Sequence, residues 1–228
     1  MSTIDWEKIE TTIFSFSKGI PTNVSKKDRE QAQPNMIRSI RNTFDINKWF
    51  IEVNQSIKTP KSKAFSHLIR AFYKIEGELA YWINFIVFYL VWLGHHDLWC
   101  PFNQKYVRSY TEVTEVSLRI KTRFLEDHGF DFIEDFTSRD IRNAIAHQDY
   151  LIRDDGDIEI YRNQKIKKIL TVEDLNQISS NISRLIGTTV KIWAEISGLD
   201  INQVMMSFQG LTFEDILEKA TKPSFEEE

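Results

Sequence analysis

AYWINFIVFYLVWLG, Ala80 to Gly94, decides the fold. Nearly every side chain in it is apolar or aromatic, so it is either a membrane span or the centre of a core. It covers 15 residues, short of the ~20 that cross a bilayer as a helix. Asn84 lies inside it, and Arg70, Lys74, Glu76 and Glu78 crowd the turns just before it. Upstream, Phe65, Leu68, Ile69, Phe72, Ile75, Leu79, Trp82, Ile83 and Ile86 follow one helical face. The spacing predicts one long helix over 64–94, buried in a core or at an interface, with no membrane association.

The flanks repeat the helical period. Residues 3–17 carry Ile4, Ile9, Ile13, Phe14 and Phe16, and Gly19-Ile20-Pro21 stops the run. Residues 25–33, SKKDREQAQ, read as a solvated loop or helix start. Residues 35–57 suit one or two helices around Asp45, and TPKSK at 59–63 reads as a boundary. Residues 103–128 read as one helix ended by His128-Gly129. LIRDDGDIEIY at 151–161 alternates around Asp155-Gly156, the pattern of a small β-hairpin. A last long helix spans 172–196, with TVED at 171–174 as its capping box. Residues 210–228 read as a short helix and an acidic tail. The expected class is all-α: an antiparallel helical bundle with a small β-hairpin. Its organisation is an N-terminal helical extension (1–57), a bundle (58–205) and a C-terminal tail (206–228).

Composition agrees. The chain has 228 residues, 42% hydrophobic and 27% charged, enough to bury a core. Only 8 glycines and 5 prolines argue against turn-dense all-β folds. Cys100 stands alone, which excludes an internal disulfide and fits a reducing, cytoplasmic setting. The start, MSTIDWEKIE, has no basic head or apolar run, so no signal peptide is expected. A net charge of −4 argues against coating nucleic acid wholesale but leaves room for a local basic cleft.

RNAIAHQDY, Arg142 to Tyr150, is the chemically dense stretch. Thr137-Ser138-Arg139-Asp140 before it has capping-box spacing, which makes Thr137 the expected N-cap. At 100° per residue, Arg139, Arg142, Asn143, Ala146, His147 and Tyr150 share one side, and Ile141, Ala144 and Ile145 the other. A guanidinium matches phosphate geometry. An imidazole moves protons near neutral pH. Ala146 leaves room beside them. Such a set cleaves RNA without a metal, because the 2′-OH is a built-in nucleophile. Spacing alone also fits ordinary surface residues on a core helix.

Arg142-Asn143-Ala144-Ile145-Ala146-His147 resembles the Arg-x4-6-His motif of the HEPN superfamily. The polar residue after the arginine and the place of the motif, late in a helical chain after two long helical segments, are similar too. The resemblance covers about residues 60–200. It implies a metal-independent endoribonuclease leaving 2′,3′-cyclic phosphate ends, acting as a defence effector or toxin. Its composite active site is shared across a homodimer, and an antitoxin or other regulatory partner is a further expectation. Carried over, Arg142, Asn143 and His147 are catalytic and no cofactor or metal is required; Arg139 and Tyr150, on the same helical side, are expected to contact RNA. Tyr150 falls three residues after His147, whereas the toxin branch paired with nucleotidyltransferases has tyrosine two residues after. A non-catalytic HEPN-like module that binds RNA or a nucleotide, or regulates a partner, is the alternative.

The remaining polar groups read as structural. His95-His96-Asp97 near Cys100 suits capping of a helix end better than a metal site. Arg162, Lys165, Lys167 and Lys168 form a basic run: a solvated face, or a guide for RNA backbone. His67 and His128 read as surface or boundary residues. Trp49, Trp82, Trp92 and Trp193 lie on apolar faces and read as core.

Overall fold

The computed structural model describes residues 4–19, 45–93 and 96–196. The loop expected at 25–33, the start of the helical segment at 35–57, His95, and the short helix and tail at 210–228 lie outside the described residues. The described part is mostly helical, with two small antiparallel sheets.

Helix α1 is Trp6–Lys18, and Asp5 caps it by accepting from the Lys8 amide at 3.1 Å. Helix α2 runs from residue 45 to residue 56. Helix α3 is Pro60–Tyr73. The TPKSK boundary is therefore helix: Thr59 accepts from the Ser62 amide at 3.2 Å, and Pro60 takes the first-turn position where its missing N–H costs nothing. Lys74–Leu79 then winds as a π-helix before α4, Ala80–Leu93. The expected single helix is thus continuous but carries a wider stretch at its middle.

This helical run, Pro60–Trp92, spans 33 residues and is long and apolar enough to cross a membrane, but 67% of its apolar window is buried inside the fold. Trp82 through Tyr89 are all buried. Phe85 meets Trp193, and Trp82 donates to the Thr189 hydroxyl at 2.9 Å. Both partners lie on the last helix, α8, Val172–Ile196. Its capping box forms as expected: the Asp174 amide donates to the Thr171 hydroxyl, and the Thr171 amide to the Asp174 carboxylate. Ile9 and Ile13 of α1 and Ile182, Leu185 and Ile186 of α8 join the same core. Burying each such side chain contributes about 1.5–3 kcal/mol.

The stretch 103–128 is not one helix. A hairpin of β1 (Trp99–Cys100) and β2 (Lys105–Tyr106) precedes α5, Tyr110–Glu115, and α6, Leu118–Asp127. Ser109 caps α5, and extended backbone at Val116 separates α5 from α6. A 3-10 turn, Asp131–Asp135, leads to α7, Arg139–His147.

The expected hairpin forms as β3 (Tyr150–Ile152) and β4 (Ile158–Arg162), but a third strand, β5 (Lys165–Leu170), joins it. Asn163 and Gln164 make the connecting turn with φ of 52° and 62°, the left-handed pair that a two-residue hairpin demands. Ile152, Ile158, Ile160 and Leu170 bury one face of the sheet against the helices. The β3–β4 loop sits close on the start of α3. A Cβ at Gly156 (φ 97°) would come within 3.2 Å of the Pro60 carbonyl oxygen, so only glycine fits.

Two residues depart from their expected setting. Trp49 is 40% exposed. His67 is buried rather than at the surface, with its ring edge-on to Phe50 at 4.6 Å and its Nε2 3.4 Å from the Asn54 amide nitrogen.

Candidate active-site groove on helix α7

Helix α7 has the predicted two faces. Ile141 and Ala144 are buried and Ile145 half-buried, whereas Asn143, Ala146 and His147 are exposed. Its start lies one residue later than expected. Ser138 holds the N-cap position without a side-chain bond, and Thr137 donates to the Glu134 carbonyl instead. Its end follows His147 directly. Gln148 adopts φ 56°, and the Asp149 amide returns to the Ala144 carbonyl at 2.8 Å. His147 therefore closes the helix at the rim of a groove.

That groove encloses about 420 Å³. Asn143, His147 and Arg139 line it from α7, Arg119 from α6, and Arg162 and Lys167 from the sheet. Lys167 is neutralised by Asp140. Among the described residues, Arg119, Arg139 and Arg162 form no ion pair. Asp149 is the other carboxylate on the wall. Three free guanidinium groups against one free carboxylate leave the groove positive, suited to a polyanion.

Arg142 is not in this groove. It lines a second one of about 440 Å³, together with Thr122, Arg123 and Glu126, and it is half-buried. Its Nε donates to the Glu76 carboxylate on the π-helical stretch. The two grooves share Arg119 and Arg139 as their common wall. One protomer thus brings Asn143 and His147 together with Arg139, and holds Arg142 next door.

Tyr150 is not at the site. It begins β3 beside Ile160, half-buried on the sheet face turned to the helices. The strand's alternation, not the helical period, sets its direction, because α7 has already ended.

Three further residues belong to the neighbourhood. Glu76 tethers Arg142 from 66 positions upstream. Arg119 divides the grooves. Lys121 is 4% exposed, and its Nζ donates to Asn84 at 2.5 Å and to the Val113 carbonyl at 3.3 Å. Burial pulls the Lys121 ammonium from 10.5 down to about 8; the Arg142 charge adds to this and Glu76 opposes it. None of the three carries a spacing signal. Glu76 shows in the sequence as a charge next to an apolar run, and Arg119 and Lys121 as cations on an ordinary amphipathic helix.

Among the described residues, no three or more His, Cys, Asp or Glu side chains are grouped to hold a metal. Cys100 is buried in β1, and His96 packs against His128 at 4.2 Å between ring centres. No family model, curated protein or solved structure matches the chain.

Proposed function

We propose that the chain is a metal-independent endoribonuclease of HEPN type, built on a HEPN-like helical bundle and acting in the cytoplasm as a defence effector or toxin. The observation that carries the proposal is that His147 and Asn143 line one groove at the open end of α7, with three arginines that form no ion pair among the described residues. In this mechanism His147 accepts the 2′-OH proton as O2′ attacks phosphorus. The P–O5′ bond breaks, O5′ takes up a proton, and a 2′,3′-cyclic phosphate remains. Asn143 orients the imidazole or the ribose. Arg142 stabilises charge on the phosphorane. Arg142 and His147 of one protomer face different grooves. A homodimer in which two α7 faces meet supplies both groups to one phosphate, and an antitoxin or regulatory partner would cover the same face.

Incubation with single-stranded RNA and EDTA tests this. The parent releases cyclic-phosphate ends, and Arg142→Ala and His147→Ala each lower the rate at least 100-fold while the circular dichroism spectrum is kept. Parent-like cleavage by both variants refutes the assignment. The Glu76 tether on Arg142 favours one competing function, a module that binds RNA without cutting it. Binding by the parent without cyclic-phosphate product would select that alternative.

A further inference from the structure

We propose that the two grooves are neighbouring nucleotide subsites on a single RNA strand, and that Arg119 positions the phosphodiester joining them. The proposal rests on RNA being the ligand of the α7 face. Its geometric basis is the shared wall: Arg119 and Arg139 line both grooves, so both guanidinium groups stand between two cavities of about 420 and 440 Å³. Each volume falls within the range of small-ligand sites, ~300–1,000 Å³. A strand crossing the wall puts one nucleoside on each side and its linking phosphate on the wall.

The charges are arranged for this. Arg119 and Arg139 are both exposed and make no ion pair with a described carboxylate. The His147 side is positive once Lys167 and Asp140 cancel. The Arg142 side is mixed: Glu126, Asp127 and Glu134 face Arg123 and Arg142. Burial, and then Glu134, raise the Glu126 carboxyl above its usual value, and Arg123 opposes the rise. Phosphate therefore gains most at the divide and on the His147 side, and a base with its polar edge suits the mixed pocket. Arg119 is a positioning residue. It comes from α6, whose Phe124 and Leu125 anchor the helix in the core, so its guanidinium is presented from a rigid element.

The test uses 2′-O-methyl RNA, which binds but lacks the nucleophile, in isothermal titration calorimetry on the full chain. The parent is expected to bind a dinucleoside monophosphate at least tenfold more tightly than a mononucleotide. Arg119→Ala should erase that gap. Arg119→Lys should restore part of it, because the charge returns without the fork. With a longer strand, Arg119→Ala should also lower the salt slope by about 0.7, the loss of one phosphate contact. Lys191→Ala removes a positive charge from α8 that lines neither groove, and should weaken binding less than twofold. Equal losses in the Arg119 and Lys191 variants, an unchanged Arg119→Ala affinity, or no binding by the parent would each overturn the proposal. Arg119-dependent binding by a parent that does not cleave unmodified RNA upholds the subsites and removes only the nuclease assignment.

Discussion

Replacing Lys121 by methionine should change how stability responds to alkali. Burial holds this ammonium at about 8 instead of 10.5. Below pH 8 the lysine is charged in both the folded and the unfolded chain, and the folded state carries the whole cost of a buried charge. Between about 8 and 10.5 the unfolded chain binds more protons than the folded one, so stability rises with pH. Above 10.5 the cost is gone. The gap between 10.5 and about 8 corresponds to about 3 kcal/mol. For 228 residues the unfolding entropy is roughly 0.5 kcal/mol per degree, so the cost is worth ~6 °C in Tm. Thermal melts of parent and Lys121→Met from pH 7 to 10.5 should therefore converge or cross, with the parent gaining ~6 °C relative to the variant. Lys74, which burial also pulls down, titrates alike in both proteins and cancels. Parallel curves would refute the reasoning. They would mean that Lys121 keeps an ordinary affinity for its proton, through water or by drawing Glu76 away from Arg142.

The Lys74–Glu78 ion pair is fully buried, at 2.7 Å. Lys74→Met alone should cost about 3–5 kcal/mol in urea unfolding, because it takes the lysine partner from the buried Glu78 carboxylate, and adding Glu78→Leu should recover most of that. A double variant as unstable as the single one would contradict this. Gln164→Gly should stabilise by about 0.5–1 kcal/mol, since glycine takes its φ of 62° without a Cβ penalty. An unchanged or lower Tm would count against a strained turn.

The parts of this fold legible in the sequence are those with strong local patterns. Helix α8 combines an unbroken period with a Thr171–Asp174 box, and both were sufficient. The burial of α4 follows from its composition. Strand β5 was hidden because five of its six residues, KIKKI, are exposed, so it reads as a solvated run. Its existence depends on pairing with β4 and on a turn, Asn163-Gln164, that lacks the usual glycine. The break at Val116 was equally hidden, since apolar residues continue through it. His67 is buried by Phe50 and Asn54, contacts that no local pattern announces. At the site, the Asn143/His147 face was readable from the helical period. Arg142's tether was not, because Glu76 lies on another element. Tyr150 was misplaced by extending that period past the left-handed Gln148.

The π-helical stretch Lys74–Leu79 also bears on how such a site can arise or be lost. A π turn holds one residue more than an α turn, so everything after it is rotated by about 100° relative to a plain helix. Removing a single codon within 74–79 would close the ladder and leave α3 and α4 helical. It would also swing the face carrying Glu76 relative to the face that packs on α8. The angle between the acidic tether and the buried faces of α3 and α4 is thus set by one extra residue in this stretch.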